Sequence, residues 1–268
     1  MNSSFRTIEL SDPENERDGL RFMTIKTPNL AGRGDLCVFV PEVPEGTTGL
    51  PICILLHGVY GSAWIWGMKG QAHLTAQRMI HDEEIRPMIL AMPSDGLWGD
   101  GSAYFGHQGK HFDRWIVEDV PLAIRENIPQ ADASSELCIG GLSMGGYGAL
   151  SLGSRFPEKF KAISGHSSIT VLDEMKFFVE EPLDEYTANC DTPNVIDSIT
   201  ANRDRLPALR FDCGVDDELI TGNRTLHQQL QQAAIPHTYE EFAGGHEWPY
   251  WQEHLAKTLT FFDQNLHT

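Results

Sequence analysis

Short apolar runs recur along the chain at Arg21 to Ile25, Leu36 to Val40, Ile52 to His57, Met88 to Met92, Leu137 to Ile139, Ala162 to Ser164, Leu209 to Cys213 and Thr238 to Phe242. Several are apolar almost throughout, as strands buried on both faces are. Between the later runs the spacing turns helical. Tyr147 to Phe156 reads as helix-like, Leu226, Leu230 and Ala233 or Ala234 share a helix face, and so do Trp251, Leu255, Leu259 and Phe262. Hairpin-like strands followed by alternating strand and helix predict a mainly parallel sheet with helices on both faces. Residues 170–205 break that rhythm: they are rich in Asp, Glu, Asn and Thr, carry Pro182 and Pro193, and read as an irregular excursion over the edge or mouth of the sheet. Residues 1–20 read as a polar N-terminal extension, and without a linker the whole of 1–268 is expected to form one domain.

Composition narrows the choice of partner. Lys and Arg number 20 against 38 Asp and Glu, a net charge of −18, which repels phosphate backbones and anionic headgroups. Nucleic-acid binding is therefore not expected. Pro51 to Leu56 falls far short of the ~20 apolar residues of a membrane span, and Met1 to Arg6 runs into polar sequence without the core of a secretory signal. A cytoplasmic location is expected. Cys37, Cys53, Cys138 and Cys213 lie within apolar runs and are expected to be reduced and structural.

The sharpest chemical signal is Gly141-Leu142-Ser143-Met144-Gly145, set between a strand and a helix. A serine on so tight a turn needs small residues two positions away on either side, and the turn lifts its hydroxyl clear of the sheet. A hydroxyl is a weak nucleophile unless a base takes its proton, so a histidine and an orienting carboxylate should follow, in the order Ser, acid, His. His246 lies just after the strand Thr238 to Phe242, beyond Gly244 and Gly245; Asp216 and Asp217 lie just after the strand Leu209 to Cys213 and Gly214. Backbone donors for an oxyanion would come from Met144 and from the glycine-bracketed loop His57-Gly58-Val59-Tyr60-Gly61, where the Val59 N–H can turn inward. His57 reads as a structural hydrogen-bonding residue.

Leu55-Leu56-His57-Gly58, Met92-Pro93-Ser94-Asp95-Gly96, Gly141 to Gly146, Asp212 to Asp217, and Gly245-His246-Glu247-Trp248 with Trp251 together resemble the putative-esterase branch of the α/β-hydrolases. That branch includes tributyrin esterases, esterase D and S-formylglutathione hydrolases, feruloyl esterases and the mycolyltransferase antigens. The likeness runs from about Arg21 to Phe262 and implies an α/β-hydrolase fold. It also implies a catalytic set of Ser143, Asp217 and His246, with Val59 and Met144 as oxyanion donors. The formylglutathione branch usually has a histidine before its nucleophile, where this chain has Leu142.

His107 and His111, followed by Asp113, have a spacing that a helix would turn into a metal pair, but Gly106 and Gly109 argue against a helix. All six tryptophans fall near loops that should follow strand C-termini; Trp64, Trp115 and Trp248 are the candidates for the acyl or alcohol pocket. The expected activity is a serine carboxylesterase acting through an acyl-enzyme on short-acyl or compact aryl esters, with no metal and no organic cofactor. Acyl transfer by the same residues and a non-catalytic binding module are the alternatives. The expected partner is a small-molecule ester, and a homo-oligomer is compatible with the reading.

Overall fold

A computed structural model describes residues 3–187 and 193–266. Its main sheet has nine strands: β1 (Thr7–Leu10), β2 (Leu20–Thr27), β3 (Gly32–Phe39), β4 (Ile52–Leu56), β5 (Ile89–Pro93), β8 (Leu137–Leu142), β9 (Phe160–His166), β10 (Ala208–Gly214) and β11 (Thr238–Phe242). They lie in the order β1-β2-β3-β5-β4-β8-β9-β10-β11. The pairs from β1 to β5 through β2 and β3 are antiparallel, and all pairs from β5 to β11 are parallel. A separate hairpin pairs β6 (Gly106–His107) with β7 (Lys110–His111).

Alternation along the central strands divides the core in two. Ile52, Ile54 and Leu56 of β4 join Ile89 and Ile139 on one face, while Cys53 and Leu55 join Leu90, Met92 and Cys138 on the other. The first face is covered by α4 (Val120–Asn127), α5 (Met144–Arg155), α7 (Val195–Ala201) and α8 (Ile220–Gln232). The second is covered by α2 (Ala72–His81) and α9 (Trp248–Asn265), the latter through Leu255, Leu259 and Phe262. Short helical turns form at α1 (Ile65–Met68), α3 (Phe112–Arg114) and α6 (Asp184–Thr187). Cys37, Cys53, Cys138 and Cys213 are free and buried, and burial pushes the Cys37 thiol up to about 12. No helix among the described residues is long and apolar enough to cross a membrane.

Two expectations need correction. The N-terminal extension contains β1, whose exposed, half-polar Thr-Ile-Glu-Leu carries no buried alternation to announce it. The stretch 170–205 is more regular than expected: it carries a 3-10 turn at Leu172–Phe177 and the helix α7, with Val195 and Ile199 in the core. Residues 188–192 of that stretch lie outside the described residues.

A buried ionic cluster ties the C-terminal strands to α9. Arg210 pairs with Asp212 at 2.7 Å and Glu240 at 2.8 Å, while the Tyr250 hydroxyl donates to Asp212 at 2.8 Å and His166 Nδ1 donates to it at 3.1 Å. Burial pushes the Asp212 carboxyl up, but His166, Arg210 and Tyr250 outweigh it and hold it at about 2. The depressed value contributes roughly 2 kcal/mol. That stabilisation is complete above the ordinary carboxylate value of 3.8 and is lost as the pH falls to about 2. Urea midpoints measured across that window should fall with acid in the parent, and less steeply in Asp212→Asn; equal slopes would contradict this.

Candidate active site

Because β4, β8, β10 and β11 are parallel, their C-terminal loops emerge at one end of the sheet, the end at which open α/β sheets gather ligands. Ser143 stands at the turn from β8 into α5 with φ 55° and ψ −120°, a left-handed strain that sets its hydroxyl apart from the regular backbone. The turn closes only because its flanks lack side chains. A Cβ on Gly141 would lie 2.3 Å from the Gly145 carbonyl oxygen, and one on Gly145 would lie 2.3 Å from that of Leu56. Backbone cannot give way as a flexible side chain can. Gly145→Ala should therefore destabilise the fold by more than about 3 kcal/mol, read from denaturant midpoints; a loss under 1 kcal/mol would show that the strand ends are not packed as described.

The β10 and β11 loops meet in the same way. A Cβ on Gly214 would lie 2.2 Å from the Gly244 oxygen, and the Asp216 N–H donates to that same oxygen at 3.0 Å. This contact turns the next residue, Asp217, inward, where it is 2% exposed, and leaves Asp216 in solvent. His246 Nδ1 lies 3.0 and 3.1 Å from the two Asp217 oxygens, and its Nε2 lies 3.0 Å from Ser143 Oγ. A carboxylate only accepts, so Nδ1 carries the proton and Nε2 presents its lone pair to the hydroxyl. Burial pushes the Asp217 carboxyl up, but His246 and the Leu219 N–H, 2.8 Å from Oδ1, outweigh it and hold it below the usual range. Phe178 stacks on the His246 ring at 5.6 Å and Trp251 meets it edge-on at 5.0 Å, so the ring is held from two sides.

The loop after β4 closes against the serine. A Cβ on Gly58 would lie 3.2 Å from Ser143 Cβ, so the backbone leading to Val59 passes in contact with the nucleophile candidate. His57 fixes that loop: its Nδ1–H donates to the Gly58 oxygen at 2.7 Å, and its Nε2 accepts from the Asp95 N–H at 3.1 Å. Among the described residues no backbone oxygen takes the N–H of Val59 or Met144. The Met144 side chain packs toward Gly101 in the interior, so only its N–H can serve the site. A hydroxyl, a base held in one tautomer and N–H groups that no backbone oxygen takes are parts that acyl transfer can use.

A cavity of about 210 Å³ opens beside Ser143, walled by Tyr60, Ile65, Leu142, Phe178, Trp248 and Trp251. Trp248 is one of these wall residues. Trp64 is not: it is 46% exposed, ahead of α1, and outside this lining. Trp115 is also corrected, being fully buried with its indole N–H donating to the Ser94 oxygen at 2.8 Å and its ring packed over Gly34. Phe178 was hidden from sequence reasoning inside the polar stretch 170–205; Trp251 was visible only as part of a helix stripe. His107 and His111 lie on the hairpin β6–β7, and among the described residues no group of three metal-binding side chains forms. Larger depressions elsewhere, such as one of about 370 Å³ between 170–177 and α8, include none of Ser143, His246 and Asp217.

A family model described as putative esterase matches residues 29–262 of the chain. An acetyl esterase of Caldicellulosiruptor saccharolyticus is 24% identical over 229 residues, 78% of this chain and 82% of that protein. An esterase of Mycobacterium tuberculosis is 27% identical over 193 residues, 60% of this chain; the chain spans only 42% of its length. Among solved structures, a ferulic acid esterase superposes with a TM-score of 0.80 at 22% identity, covering 98% of this chain and all of that one, a likeness of fold.

Proposed function

The chain belongs to the putative esterase family, and from that premise we propose that it hydrolyses short-acyl or compact aryl esters through an acyl-enzyme on Ser143. It is a carboxylic ester hydrolase of the α/β-hydrolase fold. The observation that carries the proposal is the unbroken line from Ser143 Oγ through His246 to Asp217 at the strained turn.

His246 Nε2 takes the Ser143 proton as Oγ attacks the ester carbon, and the charge that forms on the carbonyl oxygen is met by the N–H groups of Val59 and Met144. Asp217 holds the Nδ1–H tautomer and stabilises the imidazolium. The C–O bond to the alcohol then breaks, and His246 hands its proton to the departing oxygen. Water repeats the cycle: it loses a proton to His246, attacks the acyl carbon, and releases Ser143 with its proton restored. No step calls for a metal or an organic cofactor. Four buried free thiols support a reducing, cytoplasmic setting, and the −18 charge supports a small-molecule substrate over nucleic acid.

The aromatic wall of a cavity near 210 Å³ favours compact acyl groups, since Phe178, Trp248 and Trp251 bound a volume suited to a small group. The acyl groups in the names of two relatives, acetyl and ferulic, are both compact. A panel of acetyl, butyryl, aryl and palmitoyl esters should give kcat/KM at least tenfold higher for the best compact ester than for palmitoyl. Faster turnover of palmitoyl would contradict the assignment of this cavity to the acyl group.

A further inference from the structure

The three large aromatic residues in the wall beside Ser143 are not held alike. Trp248 and Trp251 belong to α9 and are braced from behind: the Trp248 ring meets Trp251 edge-on at 5.3 Å and the buried Trp66 at 5.7 Å, and a Cβ on Gly70 would lie 2.7 Å from it. Trp251 is itself part of the core. Phe178 has no such backing. It follows the 3-10 turn Leu172–Phe177 and precedes α6, on a strap without regular structure, and it is half-buried.

The backbone of the strap is fixed by bonds in which the Phe178 ring takes no part. The Phe178 N–H donates to the Met175 oxygen at 2.8 Å, and its carbonyl oxygen accepts from the Tyr60 hydroxyl. The Glu180 N–H donates to Asp100 Oδ2 at 2.9 Å, and the Asp100 N–H donates to Glu181 Oε1 at 3.1 Å. The Asp100 oxygen in turn accepts from the Tyr60 N–H at 2.9 Å, which ties the strap to the loop that carries Val59. Phe177, the preceding residue, is 67% exposed and lines the separate depression beside α8 rather than the cavity at Ser143. The side chain at 178 can therefore change the volume over Ser143 while the strap stays in place.

We propose that Phe178 is the specificity-determining residue that sets the upper limit on acyl length, an inference that rests on the esterase reading and on the assignment of this cavity to the acyl group. Its ring holds the space that a longer acyl chain needs, while the braced tryptophans supply an apolar wall against which such a chain could lie. In an apolar pocket one methylene more or less changes discrimination by about tenfold or more. The ring also stacks on His246, so removing it can slow every substrate alike; a ratio between two acyl groups cancels that common loss.

The test is kcat/KM for p-nitrophenyl acetate, butyrate, hexanoate and octanoate, which share one alcohol and differ only in the acyl group. In Phe178→Ala the octanoyl-to-acetyl ratio should rise at least tenfold over the parent. Phe178→Leu keeps an apolar contact with the core and should move the ratio the same way by less, so it carries the test if the alanine variant does not fold. Phe178→Trp should act in the opposite direction and lower the butyryl-to-acetyl ratio, a result that mere loosening of the strap cannot give. Phe177→Ala should leave both ratios at the parent values. Among acetyl esters of ethanol, p-nitrophenol and 1-naphthol, Phe178→Ala should keep the parent's order of preference; a change confined to the alcohol would overturn the proposal. Absence of ester turnover in the parent would overturn the esterase reading and this inference together. Turnover in the parent with an unchanged octanoyl-to-acetyl ratio in the folded alanine or leucine variant would overturn this inference alone.

Discussion

Ser143→Ala is expected to lower kcat for ester hydrolysis by about 10⁶, the scale at which a nucleophile and its base act as one unit. The hydroxyl lies 3.0 Å from His246 Nε2, and without it no atom at the turn can carry the acyl group. The fold should survive, because alanine and serine meet the same backbone demand at φ 55°, and the turn is closed by Gly141 and Gly145 rather than by the hydroxyl. Circular dichroism and denaturant midpoints should be nearly unchanged. A fluorophosphonate should label Ser143 in the parent and leave the variant unlabelled. Ser167 and Ser168 are buried neighbours with hydroxyls of their own, but neither is bonded to His246; covalent labelling of either would reassign the nucleophile.

Asp217→Asn should cost up to about 10⁴ in kcat, and Asp216→Asn less than about tenfold. An asparagine amide at 217 can turn an N–H toward His246 Nδ1, which drives the ring's proton to Nε2 and removes the lone pair that must accept from Ser143. Asp216 projects into solvent and touches the site only through its backbone. Paired kinetics of the two folded variants settle the register of this loop. If Asp216→Asn proved the crippling change, the loop after β10 would have to sit one residue out of step.

The central strands were legible because burial on both faces leaves continuous apolar runs such as Ile52 to Leu56, and the strained turn was legible because its packing admits only glycine at 141 and 145. The placing of Ser143, His246 and Asp217 could be read from what each strand is followed by. Elements with little burial of their own were not legible. Strand β1 is only four residues long and mostly exposed, α2 buries Ala72, His73, Ala76 and Met79 rather than a stripe of large apolar side chains, and α4 carries Pro121 at its second position. Trp115 was misread because a loop position says nothing about which way a side chain turns; Gly34, opposite, makes the space it fills. Phe178 was missed because its role depends on where a polar segment returns to the sheet.

The meeting of Gly214 with Gly244 joins the loops that carry Asp217 and His246 into one piece, and that piece hangs from β10 and the half-buried outermost strand β11. Ser143, by contrast, is rooted in β8 at the middle of the sheet. The two halves of the chemistry thus rest on parts of the molecule with unequal resistance to local opening. Fraying of one margin would withdraw the base and its orienter together and leave the nucleophile in place, so mild heat or denaturant would silence the enzyme while most of its hydrophobic interior still stood.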